Sequence, residues 1–147
     1  MPSSRKKPLK VFIDSSVFFA AVLSPSGGSF RIFREAKGRN IYIYVSQYVV
    51  DEVERELTER YWDSLDRFRS FFIYFPIVVN ANPPLRFTNK YLSLLPPEDA
   101  PILSAAVNSG AIYLLTLDKK HFLIPLNKIA LPVKVVTPGD FIQKYFV

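Results

Sequence analysis

The chain has no cysteine and only one histidine, one methionine and one tryptophan in 147 residues. Without thiols there can be no disulfide framework and no thiolate-held zinc or iron–sulfur centre. A lone His121 likewise excludes zinc sites built on several histidines. The lack of cysteine accords with the reducing cytoplasm, where the protein is expected to reside. No apolar run approaches the roughly 20 residues that a membrane helix needs. The stretch Val17 to Leu23 is short and follows the charge of Asp14, so a soluble protein with no membrane partner is expected.

What is present points to a folded, basic protein. Hydrophobic residues make up 49% of the chain and aromatics 15%, including 13 Phe and 8 Tyr. That is enough apolar matter for one core, and it sets disorder aside. The aromatic count also exceeds what one small core obviously needs, so a homodimer with an aromatic interface is expected. The net charge of +6 favours an anionic partner such as nucleic acid, or an acidic protein. Residues 1–9 read as a flexible basic N-terminal arm and 10–147 as a single domain.

Along the domain, short β-branched strands alternate with amphipathic helices. Strands are expected at Lys10 to Ile13, Ile41 to Val45, Pro76 to Val79, Ala111 to Leu115 and Val133 to Val136. Helices are expected at Ser15 to Leu23, Phe30 to Lys37 (capped by Ser29, stopped by Gly38), Tyr48 to Tyr61, Leu65 to Tyr74, Asn89 to Leu94 and Ala100 to Ser109. A short basic helix after Asp118 and a last one after Thr137 complete the set. This alternation gives a parallel sheet with helices on both faces. Trp62, with Tyr61 and Phe68, is assigned to the core, with a partner-binding stripe as the alternative.

The 13 acids are unevenly spread. Asp51, Glu52, Glu54, Glu56, Glu59, Asp63 and Asp66 share one helical stretch, which by itself describes a solvated face. Asp14, Asp118 and Asp140 each follow a strand, and Glu98 and Asp99 open a helix. Taken singly, Asp14, Asp99 and Asp118 would serve as N-caps worth about 1 kcal/mol each. In a parallel fold, however, strand ends share one edge of the sheet, where ligands bind. Two carboxylates about 4 Å apart there repel by roughly 4 kcal/mol at an effective dielectric near 20. A hard divalent cation such as Mg²⁺ or Mn²⁺ relieves that repulsion, and it can activate water against a phosphodiester.

Four segments resemble the PIN domain family: Val11-Phe12-Ile13-Asp14-Ser15-Ser16-Val17, Ser46 with Glu52 six residues on, Asp99 through Ala106, and Leu115-Thr116-Leu117-Asp118. The resemblance runs from Lys10 to Phe141 and includes Val135-Val136-Thr137-Pro138. It implies a three-layer α/β/α sandwich with a central parallel sheet of four to five strands. It also implies a metal-dependent endoribonuclease, in small members often the VapC-type toxin of a toxin–antitoxin pair. Asp14, Glu52, Asp99 and Asp118 would then be the catalytic, metal-holding acids, with Mg²⁺ (or Mn²⁺) as cofactor. RNA and an antitoxin protein would be the partners, and Ser16 and Thr116 would support the site.

On a helical wheel the stripe Val49, Val50, Val53, Leu57 and Tyr61 is flanked more closely by Glu54 and Glu56 than by Glu52. The resemblance alone selects Glu52, and Glu98 stands beside Asp99 as an alternative. Two positions depart from the family pattern: Ser16 stands where Asn is common, and Lys119 and Lys120 stand where a further acid is frequent. These departures imply one firmly held metal, and they motivate the alternative of a catalytically weakened RNA- or protein-binding module. An aspartyl phosphotransferase would want an Asp at position 16, where the chain has Ser16.

Overall fold

Strand β1 (Leu9–Ile13) is apolar on both faces at Val11, Phe12 and Ile13, so it fits only where both faces are covered. All three side chains are fully buried. In the computed structural model, which describes residues 7–146, β1 lies at the centre of a five-stranded sheet. The order is β3-β2-β1-β4-β5, with β2 (Ile41–Ser46), β3 (Ile77–Asn80), β4 (Tyr113–Leu115) and β5 (Lys134–Val136). Every pairing is parallel: Val11 lies opposite Ile43 on one side and Tyr113 on the other.

The helices are α1 (Ser15–Leu23), α2 (Gly28–Ala36), α3 (Gln47–Arg60), α4 (Leu65–Tyr74), α5 (Leu85–Asn89), α6 (Ala100–Ser109), α7 (Ile124–Leu126) and α8 (Pro138–Tyr145). The chain steps outward from β1 to β2 to β3, then returns across the sheet to β4 and β5. Right-handed crossovers therefore place α1 to α4 on one face and α5 and α6 on the other. α8 returns to the first face and packs on α2, while α6 packs on β1 and β2. This is the expected α/β/α sandwich, with the full five strands.

The phenylalanines fill the first face. Phe18 on α1 meets Phe33 on α2 and Phe68, Phe71 and Phe72 on α4, with ring centroids 5.2–5.8 Å apart. Phe71 in turn meets Phe33 and Phe75 at 5.0 Å each. Such offset and edge-on pairs add to the burial of large rings. One core thus absorbs much of the aromatic content from which an interface was inferred. Trp62 and Tyr61 are the opposite case: they are 75% and 37% exposed, so their assignment to the core is corrected, whereas Phe68 is buried.

Three local expectations also change. α2 starts at Gly28 with Gly27 at the N-cap, and Ser29 lies buried inside the helix instead of capping it. The left-handed residue that ends this region is Asn40 (φ 58), after a 3₁₀ turn at Lys37–Arg39, not Gly38. Between β3 and α6 the helix is Leu85–Asn89, and residues 90–94 form turns in place of the expected helix from Asn89 to Leu94. Positions 1–6 of the expected N-terminal arm lie outside the described residues, and Leu9 already belongs to β1.

Candidate active site

At the carboxyl edge of the sheet, β1 and β4 end side by side, with Ile13 opposite Leu115. The Asp14 N–H donates to the Leu115 carbonyl at 3.1 Å, which extends the ladder by one residue. Asp14 is thus held against the segment that leads to Asp118. Its carboxylate is 4% exposed and caps α1, accepting the Val17 N–H through Oδ1 at 3.0 Å. Ser16 Oγ donates to the same oxygen at 2.6 Å. Burial raises the Asp14 carboxyl above its ordinary range, while the hydrogen bonds from Ser16, Thr116 and Val17 work against that rise.

Ser16 and Thr116 act as a frame. Ser16 Oγ also accepts the Leu117 N–H at 3.1 Å, joining α1 to the strand end of β4. Thr116, fully buried, accepts the Asp118 N–H at 3.0 Å. Asp118 in turn accepts the His121 N–H at 3.0 Å, and the Leu123 N–H reaches back to the Asp118 carbonyl at 3.0 Å. The segment Lys119–Leu123 is therefore a single π-type turn, not an ordinary basic helix. The His121 ring stands 3.5 Å from Asp118 Oδ1.

Glu52 reaches the site from α3. Its carboxylate accepts a short hydrogen bond from Ser15 Oγ on α1, so a residue 37 positions away selects it from the acidic run. Glu56, one turn further on, is engaged by Arg60. Ser15, Ser16, Phe19, Glu52, Val53, Arg55 and Glu56 line a groove of about 260 Å³ that opens beside the acids. Ser15 was not singled out from the sequence; the signal for it was its place beside Ser16 at the start of α1.

Asp99 behaves differently from the other two aspartates. It precedes α6 but makes no side-chain cap bond, so the N-cap reading holds for Asp14 and Asp118 and not for Asp99. Its carboxyl is pushed up to about 6, first by burial and then by the charges of Glu98, Asp118, Asp14 and Glu52. The other three expected acids thus all act on Asp99 at this edge. Asp140, beyond β5, is exposed and belongs to the first turn of α8.

In kind, this donor set suits a hard divalent cation: it is all oxygen and carries mutual repulsion that a cation would relieve. In arrangement it is open. Among the described residues no three acids or histidines converge into a ready cage, since Ser15, Ser16 and backbone N–H groups hold the carboxylates. Among the described residues no helix is long and apolar enough to cross a membrane.

No curated protein matches the chain. Among solved structures, a chain of VapBC2 from Rickettsia felis, bound to a promoter DNA fragment, superposes with a TM-score of 0.66 at 14% identity, covering 88% of this chain and 98% of that one. PAE2754 from Pyrobaculum aerophilum gives 0.65 at 16% identity, covering 94% and 96%. VapC20 from Mycobacterium tuberculosis, a sarcin–ricin loop cleaving toxin, gives 0.56 at 13%, covering 75% and 91%. At these identities the likeness is one of fold. The family model for the PIN domain matches residues 10–120, which span β1 to the turn after β4 and hold all four acids, and the chain therefore belongs to the PIN domain family.

Proposed function

We propose that this protein is a Mg²⁺- or Mn²⁺-dependent endoribonuclease and the toxin of a toxin–antitoxin pair, working in the cytoplasm. The observation that carries the proposal is the gathering of Asp14, Glu52 and Asp118 around Asp99 at one sheet edge, where their charges, after burial and Glu98, help to lift the Asp99 carboxyl to about 6. PIN family membership supports it, as does the likeness in fold to VapC20, a sarcin–ricin loop cleaving toxin, and to VapBC2 bound to a fragment of its promoter.

In this proposal the four acids hold the cation, and Ser16 and Thr116 hold Asp14 in place for it. A bound divalent cation would acidify a water and neutralise charge on the scissile phosphodiester. Arg55 on the groove and the exposed Lys119 and Lys120 beyond Asp118 would bind the phosphate backbone on either side. The test pairs metal removal with Asp14→Asn. Asn can still accept the Val17 N–H, so the helix cap survives while the charge is lost. RNA cleavage should require divalent metal and fall by at least about a hundredfold in the variant, the scale of losing an electrostatic catalytic group. Undiminished cleavage in Asp14→Asn, or in excess chelator, would sink the proposal.

A second function has its own support. The open arrangement of the acids, with Lys119 and Lys120 after Asp118, fits a binding module with weakened catalysis. Mn²⁺ titration separates the two, because the binding module predicts no Mn²⁺ uptake at this edge.

A further inference from the structure

We propose that Tyr48 is a positioning residue for the candidate site, fastening the helix that carries Glu52 to both ends of the connection that carries Asp99. This rests on the reading of the four acids as a functional cluster. The connection between β3 and α6 covers 81–99, and α5 is its one helix among the described residues. Leu85, Phe87, Leu92 and Leu94 are exposed along it, while Tyr91 and Leu95 are buried and anchor its middle. Segments with so little buried surface open locally at low cost unless their ends are tied.

Both ends meet Tyr48. At the start, Asn82 Oδ1 accepts the Tyr48 backbone N–H at 2.8 Å, pairing one of the donors that a helix N-terminus leaves without a partner. At the far end, the Tyr48 hydroxyl donates to the Glu98 carbonyl at 3.0 Å, one residue before Asp99. Asp99 has no cap bond of its own, so its carboxyl is placed by the backbone turn in which Pro96 O accepts the N–H groups of Asp99 (2.9 Å) and Ala100 (3.2 Å). A tether at Glu98 therefore sets where that carboxyl stands relative to Glu52, on the same helix as Tyr48. Burial, then Glu52, Asp99 and Glu98, raise the Tyr48 phenol above its usual range, which keeps the hydroxyl a donor.

The test is Tyr48→Phe, which keeps the ring and removes the donor. Mn²⁺ affinity, measured by calorimetry on the full chain, should fall about fivefold, the scale of one net hydrogen bond. Amide hydrogen exchange at Asp99 and Ala100 should speed up by a similar factor. Asn82→Ala, which frees the other end of the connection, should move both readouts the same way. Tyr44→Phe, a partly buried tyrosine of β2 whose ring faces Lys10, should move neither. A merely structural tyrosine would lower the melting temperature and leave both readouts alone. Parent-like exchange at Asp99 and Ala100 overturns the proposal, and so does parent-like affinity or a matching loss in Tyr44→Phe. If the unaltered chain binds no Mn²⁺, the metal reading falls instead, and exchange at the two amides still decides the role of Tyr48.

Discussion

Replacing Asp99 with Asn should make the metal-free protein more stable and less active, with a stability gain that depends on pH. In the folded chain the carboxyl titrates at about 6, against 3.8 ordinarily. A carboxyl with a raised folded-state value favours folding only while protonated. Its unfavourable contribution is absent below about pH 4, grows between about 4 and 6, and is complete above that. The full shift corresponds to at most about 3 kcal/mol. The side chain is only partly buried, and solvent screening reduces this to about 1–1.5 kcal/mol. Asn removes the charge and breaks no cap bond, so urea denaturation with chelator at pH 8 should show that gain, or a rise in melting temperature of about 3–5 °C. At pH 4 the two proteins should match. Saturating Mg²⁺ should reverse the order, because ligand binding stabilises the protein that keeps its carboxylate. A destabilised Asp99→Asn at pH 8, or an equal gain at both pH values, would refute the assignment of Asp99 to a charge-crowded edge.

Two further expectations concern the frame and the surface. Ser16→Ala removes the donor to Asp14 and the acceptor for the Leu117 N–H. It should cost about 1–2 kcal/mol in urea denaturation and lower cleavage about tenfold, whereas a parent-like unfolding midpoint would deny the hydroxyl its framing role. Ile73 and Tyr74 at the end of α4 are 77% and 73% exposed. If the homodimer expected from composition forms through them, sedimentation at micromolar protein should give a dimer that Ile73→Glu dissociates, and a monomeric parent would remove the contact.

Helix ends were legible where a backbone constraint marks them. α6 begins and ends where the sequence indicates, with Pro101 in its first turn and Gly110 taking the left-handed conformation at φ 77. The start of α2 was not legible locally. A Cβ on Gly28 would come within 3.3 Å of Ile142 on α8, so the close approach that suits glycine there is dictated by a residue far down the chain. Glu52 shows the same limit at the site. Helical periodicity ranks Glu54 and Glu56 ahead of it, and the deciding contact comes from Ser15 on another helix. Strand-end acids could be anticipated because parallel topology forces them to one edge. The uncapped state of Asp99 could not, since it depends on a turn held from outside.

The pairing of β1 with β4 has a consequence for when the protein can work. Asp14 lies near the start of the chain and Asp118 near its end, and they become neighbours only when Val11 pairs with Tyr113. During synthesis the N-terminal half can pair β1 with β2 and β2 with β3, but the other edge of β1 stays open until β4 emerges. Chemistry that needs both aspartates therefore waits until β4 has been made and has paired with β1.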